Sequence, residues 1–223
     1  IASDESVAMI REGVEKATGI PGGHVSVCSI QTHSGPRTVE VWGWNVEDTE
    51  FTHGKMVPSA IEAVKKAAGA MVPVRVGIGT VESRTGINRR QIVENNSVTL
   101  GTNHWGVIDP TMTVLRFESA KGTLLNLVHY GAHPTVYGAW NRLTSRYWSG
   151  VIIDRVEYYT KAPTMFINGA VGDIAPRTNY NVAIGDNEVA LVEAGTCAAI
   201  DAMLAWRGIK DFRQLDLSVL AQT

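Results

Sequence analysis

Four short segments combine reactive side chains with glycine or proline in places where a strand should give way to a loop. The first is Gln31-Thr32-His33-Ser34-Gly35-Pro36. An imidazole ahead of a rigid turn suits metal binding or proton transfer, and it equally suits plain hydrogen bonding within the loop. The second, His129-Tyr130-Gly131-Ala132-His133-Pro134-Thr135, carries two histidines four residues apart. On a helix that spacing makes a zinc-binding pair, but Gly131 and Pro134 oppose helix. On an extended chain the two lie some 13 Å apart at roughly 3.3 Å per residue, too far to share one ion. One is then a ligand and the other structural, and His133 beside Pro134 is the better ligand. The third segment is Asn88-Arg89-Arg90. A guanidinium forks onto carboxylate, phosphate or a developing oxyanion, and one of the two arginines is expected to serve only as solvated surface. The fourth is Asn168-Gly169-Ala170-Val171-Gly172-Asp173-Ile174-Ala175-Pro176-Arg177. Its glycines let the backbone approach a ligand, and Asp173 can orient a ligand or a water. It lacks the Gly-Lys-Ser/Thr ending of a phosphate loop and the glycine spacing of a dinucleotide site.

The elements that must hold these segments follow from periodicity. Ser3 or Asp4 caps a first helix with Val7, Ile10, Val14 and Ala17 on one face, ended by Gly19. The alternation from His24 to Ile30 predicts a strand leading into the His33 loop. Residues 37–55 form a long surface excursion. Its Trp42 and Trp44 either line an apolar groove or pack in the core, the second being preferred. Pro58 opens a helix to about Ala70 with Ile61, Val64 and Ala68 inward. Val72–Val81 reads as a strand, and Asn88-Arg89-Arg90 is followed by a long irregular connection through Asn95, Asn96 and Gly101. Thr113–Glu118 and Thr123–Tyr130 make a hairpin around Ala120-Lys121-Gly122. A helix over Trp148–Tyr159, a buried strand over Pro163–Ile167 and a long helix over Asn187–Trp206 follow. The fold class is α/β, a mixed sheet flanked by helices, because a hairpin interrupts the βαβ rhythm.

Composition narrows the functions. The 223 residues are 44% hydrophobic and 19% charged, ample for a packed core. Twenty Lys and Arg against 22 Asp and Glu give a formal charge of −2, so there is no electrostatic case for nucleic acid. No apolar run approaches the roughly 18 residues a spanning helix needs, so no transmembrane segment is expected. Cys28 and Cys197 match no zinc or disulfide spacing. Ser34 and Ser145 sit in no Gly-x-Ser-x-Gly elbow. The chain opens on Ile1 without a basic-then-apolar leader, which reads as a mature or truncated beginning.

In this order, Thr32-His33-Ser34-Gly35-Pro36, Asn88-Arg89, His133-Pro134-Thr135 and Gly172-Asp173-Ile174-Ala175-Pro176 resemble the N-terminal domain of the neutral/alkaline non-lysosomal ceramidase family, its bacterial members above all. The resemblance covers about residues 24–180. It implies a zinc-dependent amide hydrolase in which activated water attacks an N-acyl carbonyl. By the same resemblance His133 is a zinc ligand, His33 faces substrate beside the metal, Arg89 stabilises the tetrahedral intermediate, and Asp173 lines the pocket. Two positions depart from the family pattern. Gln31 stands where the family has a histidine ligand; either His33 shifts into the metal shell, or the site binds metal weakly, a neutral oxygen being a poor substitute for imidazole, or it has lost the metal. Ala175 stands where ceramidases carry a serine.

The resemblance further implies that residues 1–223 are part of one hydrolase domain lacking its opening strands and a later portion. A sheet so shortened would expose an unpaired edge. A second chain completing the domain and the metal site is therefore expected, a heteromer arising from proteolytic processing or from separate subunits; a truncation is the alternative. The leading function is hydrolysis of a carbon–nitrogen bond in a small-molecule amide. A catalytically inactive binding or assembly subunit, and an esterase on the same scaffold, are the alternatives.

Overall fold

The computed structural model describes residues 2–40, 43, 46–137, 141–180 and 187–215; Trp42 and Trp44 lie outside the described residues. The chain divides into two compact units: Ile1–Ser29 with Pro36–Pro73 and Leu215–Thr223, and Ile30–Gly35 with Val74–Gln214.

The regular elements described in the first unit are helical. Helix α1 (Asp4–Thr18) begins at Ser3, whose Oγ accepts the Ser6 N–H at 3.2 Å. It ends at Gly19, whose left-handed φ of 75° lets its N–H reach the Glu15 carbonyl. Helix α2 (Thr49–Phe51), a π-helical turn over Thr52–Met56 and helix α3 (Val57–Ala68) run on from one another, with Asp48 capping the Phe51 N–H. Ile10 and Val14 of α1 meet Val57, Ile61 and Val64, the faces that the sequence spacing selects.

The second unit holds two sheets. Strands β1 (Arg75–Glu82), β4 (Thr111–Ser119), β5 (Gly122–Tyr130) and β6 (Thr164–Asn168) form one sheet in the order β1-β4-β5-β6. Its first three strands are antiparallel, and β6 lies parallel to β5 after the crossover through helix α4 (Tyr147–Thr160). The sheet is therefore mixed, as the interrupted rhythm implies. Strands β2 (Gly86–Ile92), β3 (Val98–Asn103) and β7 (Ile174–Pro176) form a smaller antiparallel sheet in the order β3-β2-β7. Helix α5 (Asn187–Gly208) packs on α4 and on β1 and β4. Its inner face is alanine: Ala190, Ala194, Ala198, Ala202 and Ala205 are all buried. Small side chains let the helix come close, and at Gly79 of β1 even a Cβ would stand 2.2 Å from the Ala205 carbonyl oxygen.

The core between sheet and helices centres on Trp148, which is fully buried. Its indole meets Tyr130 and Phe166 edge-on, with ring centroids 6.2 and 5.3 Å away. Asn126, also fully buried, is satisfied at both ends. Its amide nitrogen donates to Thr160 Oγ1 at 2.9 Å, and its oxygen accepts Trp206 Nε1–H at 2.9 Å.

Three expectations need correction. Residues 24–30 are not a strand: Gly22–His24 is a 3-10 turn, and Val25–Ile30 pairs with no neighbouring strand among the described residues. Alternation marks a face, but a ladder needs a partner; here Asn168 Nδ2 donates to the Ile30 carbonyl at 2.9 Å instead. The connection after Arg90 through Gly101 is not irregular but belongs to the β2–β3 hairpin. Its outer residues, such as Ile92, Val98 and Leu100, are exposed, so burial left no alternating pattern. The missed signal was Asn95-Asn96, both with left-handed φ (64° and 58°), which asparagine tolerates best. Finally, α5 is long and apolar enough to cross a bilayer by length and composition alone, a test that core helices also pass.

Trp148→Ala should lower the unfolding free energy by about 3–5 kcal/mol, the usual cost of emptying so large a buried site. Urea unfolding followed by circular dichroism measures it, and a midpoint within error of wild type would contradict this account of the core.

Candidate active site

His33 and His133, 100 residues apart in sequence, meet with their Nε2 atoms 3.1 Å apart and their ring centroids 5.1 Å apart. His133 follows the end of β5 and is buried. Its backbone N–H donates to the Ile174 carbonyl at 2.8 Å, tying it to β7. Its Nδ1 lies 2.9 Å from the Val171 carbonyl, which can only accept, so Nδ1 carries the proton. In the neutral ring Nε2 then presents its lone pair toward His33. His129 takes no part. It lies back in β5, paired across the ladder with Thr113, as the extended spacing requires.

The turn over residues 169–173 shapes the site floor. Gly131 makes it possible, since a Cβ there would stand 2.6 Å from the Ala170 carbonyl oxygen. The two adjacent arginines divide their roles. Arg89 is buried and its Nε donates to the Gly172 carbonyl at 2.9 Å, while its backbone N–H donates to the Asp173 carbonyl. Arg90 faces solvent, and its Nε pairs with Asp173 Oδ1 at 2.7 Å. Asp173 is 63% exposed at its side chain, so its carboxylate sits at the rim, engaged by Arg90. Ala175 lies in β7 and is fully buried, opposite Ile87.

The loop carrying His33 is clamped. Thr32 Oγ1 donates to the Ser145 carbonyl at 2.8 Å, and the Ser145 N–H donates to the Ser34 carbonyl at 2.9 Å. Ser34 Oγ donates to Tyr147 Oη at 2.9 Å and accepts from Asn141 Nδ2 at 2.7 Å. Tyr147 has φ 55°, a costly conformation for a bulky residue, about 1–3 kcal/mol. Gln31, half-buried, also has a left-handed φ of 59°. The clamp was invisible in sequence, because Ser34 and Tyr147 lie 113 residues apart.

The donor set can be compared with zinc. Two imidazole nitrogens on one tetrahedral zinc, each about 2.0–2.1 Å from it, stand roughly 3.3 Å apart. The His33–His133 separation of 3.1 Å fits two such positions. Among the described residues no group of three His, Cys, Asp or Glu side chains converges.

Electrostatics keep both imidazoles uncharged. Partial burial lowers the His33 pKa below 6.5, and the Arg89 guanidinium lowers it further. Burial is also the main cause for His133; Arg89, His33 and Arg90 add to it, while the Val171 hydrogen bond works against them. Because both native values lie below the ordinary one, the unfolded chain binds protons first as pH falls. Stability is full above about 6.5 and declines as pH drops from there toward the lowered native values. Unfolding free energy measured from pH 7.5 to 5 should fall, with a shallower slope in His133→Asn. Equal slopes in the two proteins would contradict the assigned shift.

No protein-family model matches the sequence, and neither does any curated relative. Among solved structures, the chain is similar to the neutral ceramidase of Pseudomonas aeruginosa, at a TM-score of 0.71 and 18% identity over 93% of this chain. A structure of ceramidase complexed with C2 is similar at a TM-score of 0.72 and 18% identity, over 92% of this chain. In both cases the match spans 35% of the other chain, so this chain accounts for about a third of their length. The chain has the fold of that part of neutral ceramidase, an α/β fold with a mixed sheet.

Proposed function

We propose that this chain contributes the core of a hydrolase that cleaves the carbon–nitrogen bond of an N-acyl amide. The observation that carries the reading is the convergence of two neutral imidazoles, Nε2 to Nε2 at 3.1 Å, close to the buried guanidinium of Arg89. The likeness in fold to neutral ceramidase supports amide over other bonds.

In this reading the Nε2 atoms of His33 and His133 hold a zinc ion, and Gln31, from the same loop as His33, offers its side-chain oxygen as a weaker donor. Zinc, when bound, lowers the pKa of water toward 7 and polarises the scissile carbonyl. The Val171 carbonyl keeps His133 in the tautomer whose Nε2 is free to bind. Arg89, anchored through its Nε, turns its remaining N–H groups toward the oxygen that gains charge when water adds to the acyl carbon. His33, at the exposed side of the pair, borders the substrate. Asp173, held at the rim by Arg90, lines the approach. The net reaction adds water across the amide, giving a carboxylate and an amine. With two nitrogen ligands from the described residues, the rest of the shell falls to a further segment or a second chain.

Zinc stoichiometry and hydrolysis of matched amide and ester substrates, measured on the protein isolated from its source with any associated chain, test the proposal. One zinc per site and amide cleavage support it. Ester cleavage alone favours the esterase alternative. A metal-free protein inert to both favours a binding subunit. Arg89→Ala should reduce kcat by about 10²–10³-fold with zinc retained. Gln31→His should tighten zinc binding in a competition titration, and an unchanged affinity would remove Gln31 from the ligand set.

A further inference from the structure

We propose that Tyr147, acting through the Ser34 hydroxyl, is the residue that positions the His33 imidazole against His133. The inference concerns this chain's own residues and gains its catalytic meaning from the amide-hydrolase reading above. Three observations converge on it. The Ser34 hydroxyl, next in sequence to His33, is buried and has partners on both sides: it donates to Tyr147 Oη at 2.9 Å and accepts from Asn141 Nδ2 at 2.7 Å. Tyr147 itself is buried and is the first residue of α4, where a φ of 55° is unfavourable for an aromatic residue. A strained backbone persists only where its surroundings over-determine it, and such strain gathers at functional sites. Finally, the phenol is braced from behind. The Tyr137 ring packs on the Tyr147 ring at 5.3 Å between centroids, and the Tyr137 hydroxyl bonds Glu188 at the start of α5. The loop bearing His33 is thus tied to the N-terminal ends of both long helices of its unit.

His33 is exposed and lies in a segment without regular structure, so local backbone alone does not fix its ring. The Ser34–Tyr147 bond supplies that constraint while touching neither the reacting atoms nor the imidazole. Tyr147 is a positioning residue in this arrangement.

The test uses Tyr147→Phe, which keeps the ring and deletes the hydroxyl, and Ser34→Ala, which removes the other partner. The first readout is independent of turnover and of metal: the nuclear Overhauser effect between His33 and His133 ring protons in the full chain. It should be present in wild type and strongly weakened in both variants. Near-ultraviolet circular dichroism confirms folding, and Ser34→Ala stands as the second probe should Tyr147→Phe fail to fold. The second readout is kcat on an amide, which should fall 10–100-fold with KM little changed, the scale usual for groups that orient a ligand. The double variant should be no worse than either single, because both remove one interaction. A ring–ring effect of wild-type strength in either folded variant overturns the positioning role. Loss of the effect in a protein that cleaves no amide keeps the positioning role and overturns only the hydrolase reading.

Discussion

A single hydrogen bond, from His133 Nδ1 to the Val171 carbonyl at 2.9 Å, decides which edge of the buried imidazole is chemically available. Protonated at Nδ1, the ring has one lone pair left, and it points at His33. The bond depends on the tight passage of residues 169–173 beneath the end of β5, which depends in turn on Gly131 having no side chain. The same turn also supplies the Gly172 carbonyl that anchors Arg89 and the Asp173 carboxylate that engages Arg90. One backbone excursion therefore fixes a tautomer, orients one cation and neutralises another.

The two arginines illustrate how a strand sorts neighbouring residues of like chemistry. Burial along β2 runs in two blocks, Gly86 to Arg89 buried and Arg90 to Ile92 exposed, and the register with β3 slips between Asn88 and Arg90, so the two guanidiniums part where the strand leaves the core. The inward guanidinium lowers the pKa of both histidines, and with burial it keeps them uncharged near neutrality. The outward one pairs with a carboxylate at the rim, where solvent screens the interaction. Both guanidiniums still reach the Gly172 carbonyl, and Arg90 adds to the lowering at His133.

Much of this was legible in the sequence because its signals were local. Ser3 and Gly19 bound α1, Gly122 closes the β4–β5 turn, and the helical spacing of Ile61 and Val64 identifies their buried face. His133 and Asp173 could be singled out because each sits beside proline or glycine next to a strand, whereas His33 follows no strand among the described residues and Arg89 lies within β2. What local signals could not supply was partnership. Among the described residues the alternation at 24–30 has no neighbouring strand, and the outer part of the β2–β3 hairpin has no buried face to betray it. Which histidine would meet which was settled by tertiary approach, and the clamp from Tyr147 joins residues more than a hundred positions apart. Nothing in the sequence at Tyr147 announces its left-handed backbone, which the surrounding contacts impose.

The separation of His33 from His133 by 100 residues also bears on how the chain acquires its chemistry. Closing a long loop costs chain entropy, which contacts made inside the loop must already have offset. The β4–β5 hairpin is local and demands little closure. The histidine pair needs that hairpin, the parallel docking of β6 and the turn at 169–173 all in place. Structure and reactivity therefore have different thresholds: a chain opened only at that turn could keep most of its sheet and helices while its two imidazoles no longer shared a common point.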